Sequence, residues 1–437
     1  MIRALFGGLA ALWLALPVWA AVEIEEVTSP GGITAWLVEE HSIPFVALDI
    51  RFKGGASLDA PGKRGAINLM TALLEEGAGD RDAREFAAEA EALAARLRFD
   101  VYDDTLLVSA SVLTETRDAS VALLRSALAE PRFDADAVER VRGQVLSIIR
   151  SDATDPNAIA SARFDALAFG EHPYGSSLDG TLGSVAALTR EDLFAAKDRV
   201  MARDRVYVAA VGDITAEELG PLLDRLLGGL PEAGAEMPGR AEVGLDGGVH
   251  LVPFETPQSV VIFGHEGIER FDPDFFPAYV LNQVLGDSGF GSRLMTEVRE
   301  KRGLTYGIGS YLVPMDHAEL YLGQFASANE RVAEAIGVVR AEWARAAAEG
   351  VTAEELETAK TYLTGAYPLR FDGNANIAGI LSGMQAEGLP IDYAETRNAQ
   401  VEAVTLEDVK RVAARVLMPE ALTFVVVGSP VGLEASN

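Results

Sequence analysis

Residues 286–312 read GDSGFGSRLMTEVREKRGLTYGIGSYL and carry four signals in succession. Gly286, Gly289 and Gly291 make a glycine-rich turn. A short amphipathic helix is expected over about residues 292–302, with Leu294, Met295 and Val298 on its apolar face. Arg299, Lys301 and Arg302 give it a basic last turn, and Gly303 stops it. A strand over about residues 305–313 follows. Arg299 closes the helix and Tyr306 opens the strand, so around one tight turn a cation and a phenol can face the same cleft. Each also has an ordinary role open to it. A last-turn arginine serves the helix dipole, and a strand tyrosine serves core or rim.

The stretch lies in the second of two similar halves. Leu188-Thr189-x-Glu191-Asp192-Leu193 leads to Val211-Gly212, and Val404-Thr405-x-Glu407-Asp408-Val409 leads at the same interval to Val427-Gly428. Asp134-Ala135-Asp136-Ala137-Val138 and Thr352-Ala353-Glu354-Glu355-Leu356 open matching long helices. Residues 228–248, rich in glycine and proline and poor in apolar periodicity, form the expected linker between domains at 21–227 and 249–437. Strands are expected at 22–27, 33–38 and 46–52, in a hairpin (97–101 and 105–112) around Asp103-Asp104, and at 206–211, 250–252 and 259–264. Helices are expected at 63–76, 83–95, 115–129, 135–150, 157–169 and 216–227. A further helix starts at Thr189, capped by Asp192. Strands in pairs among helices argue an α+β fold: two homologous domains, each with helices on one face of a mainly antiparallel sheet.

The chain has 437 residues, 49% hydrophobic and 24% charged, enough for two cores. Its net charge of −29 makes nucleic acid an improbable partner. Arg3, the apolar run 4–16, Pro17 and Val18-Trp19-Ala20 read as a signal peptide, 1–20, cut after Ala20; an uncleaved anchor is the alternative. Export to the periplasm follows, with no membrane span after cleavage. There is no cysteine, which excludes disulfides, a thiol nucleophile and cysteine metal ligands. Gly286-Asp287-Ser288-Gly289 echoes a serine-protease turn, but its helix–turn setting lacks the placed His and Asp. A phosphate loop here would lack its lysine. The five histidines have no helical ligand spacing, and His172 is expected as a turn or packing residue.

Ser292, Arg293, Leu294, Glu297, Arg299, Gly303, Leu304 and Tyr306 match a pattern of the pitrilysin/insulinase-type zinc peptidases, which include mitochondrial processing peptidase. His172-Pro173-Tyr174-Gly175, Gly180-Thr181 and residues 188–212 match it again in the right order. The sequence therefore resembles that family over nearly its whole mature length. The resemblance implies a clam of two α/β rolls and gives Arg299 and Tyr306 the grip on a bound peptide. It also places a glycine-rich, substrate-contacting loop of the non-catalytic processing-peptidase subunit at 286–291, though the loop here is short. Catalytic members carry H-x-x-E-H on the first-domain helix, two histidines on one helix face and a glutamate that activates water. Here Asn68, Thr71 and Ala72 hold those positions, and the third ligand falls near Ser147 or Ile148, with Arg150 close by. The resemblance thus implies a non-catalytic subunit with no metal or cofactor of its own. Zinc is expected in a homologous heterodimer partner, and the substrate is a peptide. The alternative is a structural or chaperone-like peptide-binding protein of the same fold.

Overall fold

The structure, a computed structural model, describes residues 23–287 and 291–435. The expected signal peptide lies outside the described residues, as do Ser288, Gly289 and Phe290 of the glycine-rich turn.

The first half contributes β1 (Glu25–Thr28), β2 (Thr34–Glu39), β3 (Phe45–Lys53), a short ribbon β4 (Gly77–Ala78) and β5 (Arg81–Asp82), β6 (Arg96–Val101), β7 (Thr105–Leu113) and β8 (Val206–Gly212). Its helices are α1 (Ala66–Thr71), α2 (Ala83–Ala92), α3 (Arg117–Ala129), α4 (Ala135–Asp152), α5 (Pro156–Phe169), α6 (Leu182–Ala186), α7 (Arg190–Val200) and α8 (Ala216–Leu227). The second half contributes β9 (Gly248–Pro253), β10 (Gln258–Glu266), β11 (Ile308–Pro314), β12 (Glu319–Ala328) and β13 (Thr423–Gly428). With them come α9 (Phe275–Leu285), α10 (Val332–Glu349), α11 (Ala353–Ala366), α12 (Asn374–Ala386), α13 (Tyr393–Glu402) and α14 (Leu406–Val416).

The sheets run β1-β2-β8-β3-β7-β6 and β11-β12-β10-β13-β9. Each has one parallel neighbour pair, β2 with β8 and β9 with β13, and is otherwise antiparallel. The wiring repeats, as the duplicated sequence requires. Thr189 with Asp192 and Thr405 with Asp408 form matching capping boxes at the starts of α7 and α14. The glycines that end β8 and β13 also match. A Cβ on Gly212 would stand 2.2 Å from the Phe45 carbonyl oxygen, and one on Gly428 would stand 2.4 Å from Ser259 Oγ.

One face of each sheet packs on its own half's helices. In β7 the alternation places Leu106, Val108, Ala110 and Val112 in that core. The other face is not bare, contrary to the expectation of helices on one face only. Helix α12, from the second half, lies on Trp36, Ala47, Ala209 and Val211 of the first sheet through Ala378, Leu381 and Met384. Helix α5, from the first half, lies on Ile262, Val425 and Val427 of the second sheet through Ala160, Phe164 and Ala168. Polar clamps fix α12: Arg51 donates to Ser382 Oγ (2.8 Å) and the Gly379 carbonyl (3.0 Å), and Gln385 donates to the Val208 carbonyl (2.8 Å). The halves are interlocked by helix exchange.

Three local expectations need correction. The helix expected over 63–76 is only α1. The Asp59 carboxylate takes the N–H groups of Gly65 and Ile67, which sets a later start. Thr71 Oγ1 bonds back to the Ile67 carbonyl at 2.8 Å, and residues 72–75 run on as turns. Second, the helix expected over 83–95 stops at Ala92, because Ala94 turns left-handed at φ 52°. Third, residues 228–247, expected to be poor in contacts, are strapped down. Leu230 and Leu245 are buried, the Ala235 N–H bonds the Arg199 carbonyl, and those of Ala241 and Gly244 bond His317 and Ala168. Gly248 already belongs to β9.

Candidate peptide-binding site

Met295, Arg299 and residues 306–312 form one wall of a cleft of about 830 Å³. Leu294 and Val298 are fully buried, and Met295 nearly so, as the apolar stripe demands. The helix is shorter than expected and wound differently: Met295–Glu300 is a π-helical turn, with the Lys301 N–H bonded to the Thr296 carbonyl. Such turns re-aim the side chains that follow them. Gly303, left-handed at φ 60°, ends it. Thr305 Oγ1 then bonds the carbonyls of Gly307 (2.8 Å) and Ala326 (2.7 Å), folding the chain into a bend. Hence the strand expected at 305–313 starts only at Ile308, and Tyr306 precedes it in the bend, 91% exposed.

Arg299 and Tyr306 do come together. The guanidinium carbon lies 5.4 Å from the centre of the Tyr306 ring, and both residues line the cleft with Tyr279, Asn282, Ser310 and Tyr311. The other charged residues of the sequence pattern are structural. Arg293, buried, forms a two-pronged ion pair with Glu355 on α11, 2.7 Å at each prong. Burial pushes the Glu355 carboxyl up, but Arg293 and the Thr352 N–H outweigh it and hold it down at about 2. Glu297 takes Lys301 (2.6 Å) and Arg302 (2.7 Å), turning both away from the Arg299 role. The cleft floor is pinned where β11 meets the end of α9. The Ser310 N–H bonds the Gly286 carbonyl at 2.6 Å, Ser310 Oγ bonds Asn282 at 2.9 Å, and a Cβ on Gly286 would fall 1.8 Å from Ser310 Oγ.

The degenerate zinc positions lie on α1 and at its end. The Asn68 amide is tied to Asp179 at 2.7 Å, the Thr71 hydroxyl is spent on the helix backbone, and Ala72 is exposed. Ser147 and Ile148 are exposed on α4. These side chains offer no set of anionic or imidazole donors for zinc.

Sequence reading missed a second cluster, where the β6–β7 turn meets the β11–β12 turn across the two halves. Asp104, Asp316 and His317 bring metal-capable atoms within 4.8 Å of one another. The carboxylates are already engaged. Asp104 accepts from the Tyr174 hydroxyl and from the Asp316 N–H (3.1 Å), and Asp316 pairs with Lys53 at 3.3 Å. Burial pushes the Asp104 carboxyl up to about 6. The cluster is a joint, and His172 serves it as the turn and packing residue expected: its ring accepts the Tyr174 N–H and packs edge-on to that phenol. Only the Asp103-Asp104 hairpin signal pointed here; its partners are far away in sequence.

No helix among the described residues is long and apolar enough to cross a membrane. Residues 35–182 match the family profile described as insulinase (peptidase family M16), and residues 187–363 the profile described as peptidase M16 inactive domain. A Helicobacter pylori protein named non-peptidase homolog YmxG is 25% identical over 395 residues, 90% of this chain and 90% of its own length. An uncharacterized zinc protease of Streptomyces coelicolor is 26% identical over 409 residues, 90% of this chain and 87% of its own. The crystal structure of a peptidase M16 inactive domain from Pseudomonas fluorescens has a TM-score of 0.88 at 28% identity, covering 95% of this chain and 100% of that one. A protease from Helicobacter pylori, at 17% identity and a TM-score of 0.83 over 93% of this chain and 100% of its own, shares the fold. With both halves matched in order and the fold matched end to end, the chain belongs to peptidase family M16, the insulinase family.

Proposed function

We propose that this chain is the non-catalytic, substrate-binding subunit of a periplasmic heterodimeric zinc metallopeptidase. A homologous partner with an intact H-x-x-E-H motif would hold the zinc and its base. This chain would close the other half of the chamber and hold the peptide through Arg299 and Tyr306. The observation that carries the reading is a contrast between two places. Asn68, Thr71 and Ala72 cannot hold zinc, while Arg299 and Tyr306 stand together on the wall of an 830 Å³ cleft. A guanidinium fork suits peptide carbonyls or a carboxylate, and the phenol adds one donor. Once a partner closes the chamber over them and excludes water, such contacts would position a scissile bond for chemistry done by that other chain. The inactive-domain profile over 187–363 and the relative named a non-peptidase support an inactive chain.

The test is co-expression with a zinc-motif relative from the same host, read by native mass spectrometry, zinc analysis and peptide hydrolysis. A one-to-one complex is expected, with zinc in the partner and hydrolysis that needs both chains. A partner equally active alone would favour the chaperone-like reading. Stoichiometric zinc and hydrolysis in this chain alone would overturn the proposal.

A further inference from the structure

A second cavity, about 530 Å³, opens between α9, α12, α13 and the turn after α11. Its lining runs against the composition of the chain. In a protein of net charge −29, four guanidinium groups converge there: Arg51, Arg270, Arg370 and Arg397. The one carboxylate among the lining residues is Glu387, 3.4 Å from Arg270. Behind the wall, Asp49 reaches Arg51, also at 3.4 Å.

Arg397 is the telling residue. It is 4% exposed, and among the described residues no carboxylate pairs with it. One nitrogen, Nη1, makes both of its hydrogen bonds, to the Leu363 carbonyl (2.8 Å) and Asn398 Oδ1 (2.9 Å). The guanidinium carbon lies over the rings of Tyr367 (4.5 Å) and Tyr279 (5.4 Å). Nε and Nη2 bond to nothing among the described residues. Arg370, with its guanidinium carbon 5.9 Å from the centre of the Tyr367 ring, likewise has no ion pair among them. Arg270 is clamped by the rings of Phe275 (4.3 Å) and Tyr393 (5.3 Å); its Nε donates to Glu387 (3.4 Å) and its Nη2 to the Tyr393 hydroxyl (2.7 Å), so only Nη1 is without a bond among the described residues. Aromatic rings therefore flank these cations, and Nε and Nη2 of Arg397 with Nη1 of Arg270 are left for an acceptor. A buried charge without an anionic partner is costly, and an arginine fork matches the geometry of a planar or tetrahedral oxyanion.

We propose that this pocket binds an oxyanion, a carboxylate or phosphate group, between Arg270, Arg370 and Arg397. The cavity is larger than a lone phosphate, so the group is carried on an organic body lying against Phe275 and Phe371. Two sources share that chemistry: a small phosphorylated molecule, or the carboxylate of a peptide. Phe275 and Tyr279 also line the cleft of Arg299, which makes them the wall between the two cavities. The pocket stands on its own residues and does not depend on the subunit reading above.

The test uses the full chain at fixed ionic strength, with chloride as the balancing anion. Inorganic phosphate, phenyl phosphate and a peptide pair with free or amidated C-terminus are titrated by calorimetry and thermal unfolding. The variants are Arg370→Gln, whose side chain is exposed and whose loss leaves the core intact, and Arg225→Gln as a control for charge elsewhere. Phenyl phosphate or the free-acid peptide is expected to bind and raise the unfolding temperature. Affinity should be about tenfold weaker in Arg370→Gln and unchanged in Arg225→Gln, the loss expected for one charge-assisted contact. Preference for phenyl phosphate identifies a small-molecule source; preference for the free acid over the amide identifies a peptide source. Equal responses in wild type and Arg370→Gln, or no response to any probe, would overturn the proposal.

Discussion

Arg299 and Tyr306 were legible as a pair because the pattern around them is dense; their neighbours' roles were not. Nothing local shows that Arg293 would reach Glu355, since that choice is made by packing, whereas the pairing of Glu297 with Lys301 four residues on is a local contact that the sequence reading passed over. Tyr306 was placed on a strand, and one threonine hydroxyl moved it into a bend. In the reconstituted complex, Arg299→Ala should lower kcat/KM roughly ten- to a hundredfold, the worth of a charge-assisted contact of ~1.5–3 kcal/mol. Tyr306→Phe removes a neutral hydrogen bond and should cost on the order of fivefold to tenfold. The double variant should be less than additive, because both side chains grip one peptide. Unchanged rates per assembled complex would leave the pair as a helix-end cation stacked on a ring. On α1, Asn68→His alone or Ala72→His alone should yield no peptidase activity. The Asn68 amide is tied to Asp179, and a working centre needs every ligand with its supporting hydrogen bonds. Hydrolysis by either single variant would refute the reading of that helix.

At the level of elements, the sequence marked helices with capping boxes and strands with clean alternation almost to the residue, as at α8 and β7. It failed where distant groups decide the ends, as with Asp59 at α1. It also failed to show that α5 and α12 cross over, because an apolar helix face does not say whose sheet it covers. Helix α5 carries a consequence. Asp165 on this helix has no hydrogen bond to its carboxylate among the described residues, and burial pushes that carboxyl up to about 7, with Asp103 adding repulsion. The folded pKa exceeds the unfolded one, so the charged form is disfavoured in the fold. The resulting penalty is full above about pH 7 and fades as pH falls towards the ordinary carboxylate range. Asp165→Asn should therefore raise the unfolding temperature at pH 8 and lose that advantage by pH 4.5. An equal effect at both pH values would show that the carboxyl is not held neutral. His265 has the opposite sign. Burial lowers it to about 4, between the Glu266 carbonyl and the Trp343 N–H, so its share of stability is lost as pH falls from about 6.5 towards 4. His265→Gln should flatten the acid limb of a stability–pH curve.

The duplication and the α+β class were legible for the whole molecule, because repeated motifs fix repeated wiring. The interlock was not. Residues 228–247 remain the longest stretch without regular structure between the two sheets, and limited proteolysis should cut there first despite its straps. The two pieces should co-elute, held by α5 and α12, and separate only in denaturant; pieces that part in buffer would contradict the exchange. The same exchange bears on how the chain is made. The outer face of the first sheet, with Trp36, Ala209 and Val211, waits for a helix near the far end of the polypeptide. Until residues 374–386 have left the ribosome, that face is an apolar surface with no cover, and its stretch of synthesis is one of exposure to aggregation and to chaperones. A nascent chain halted before α12 should therefore bind hydrophobic dyes and trigger-type holdases strongly, and one halted after it should not.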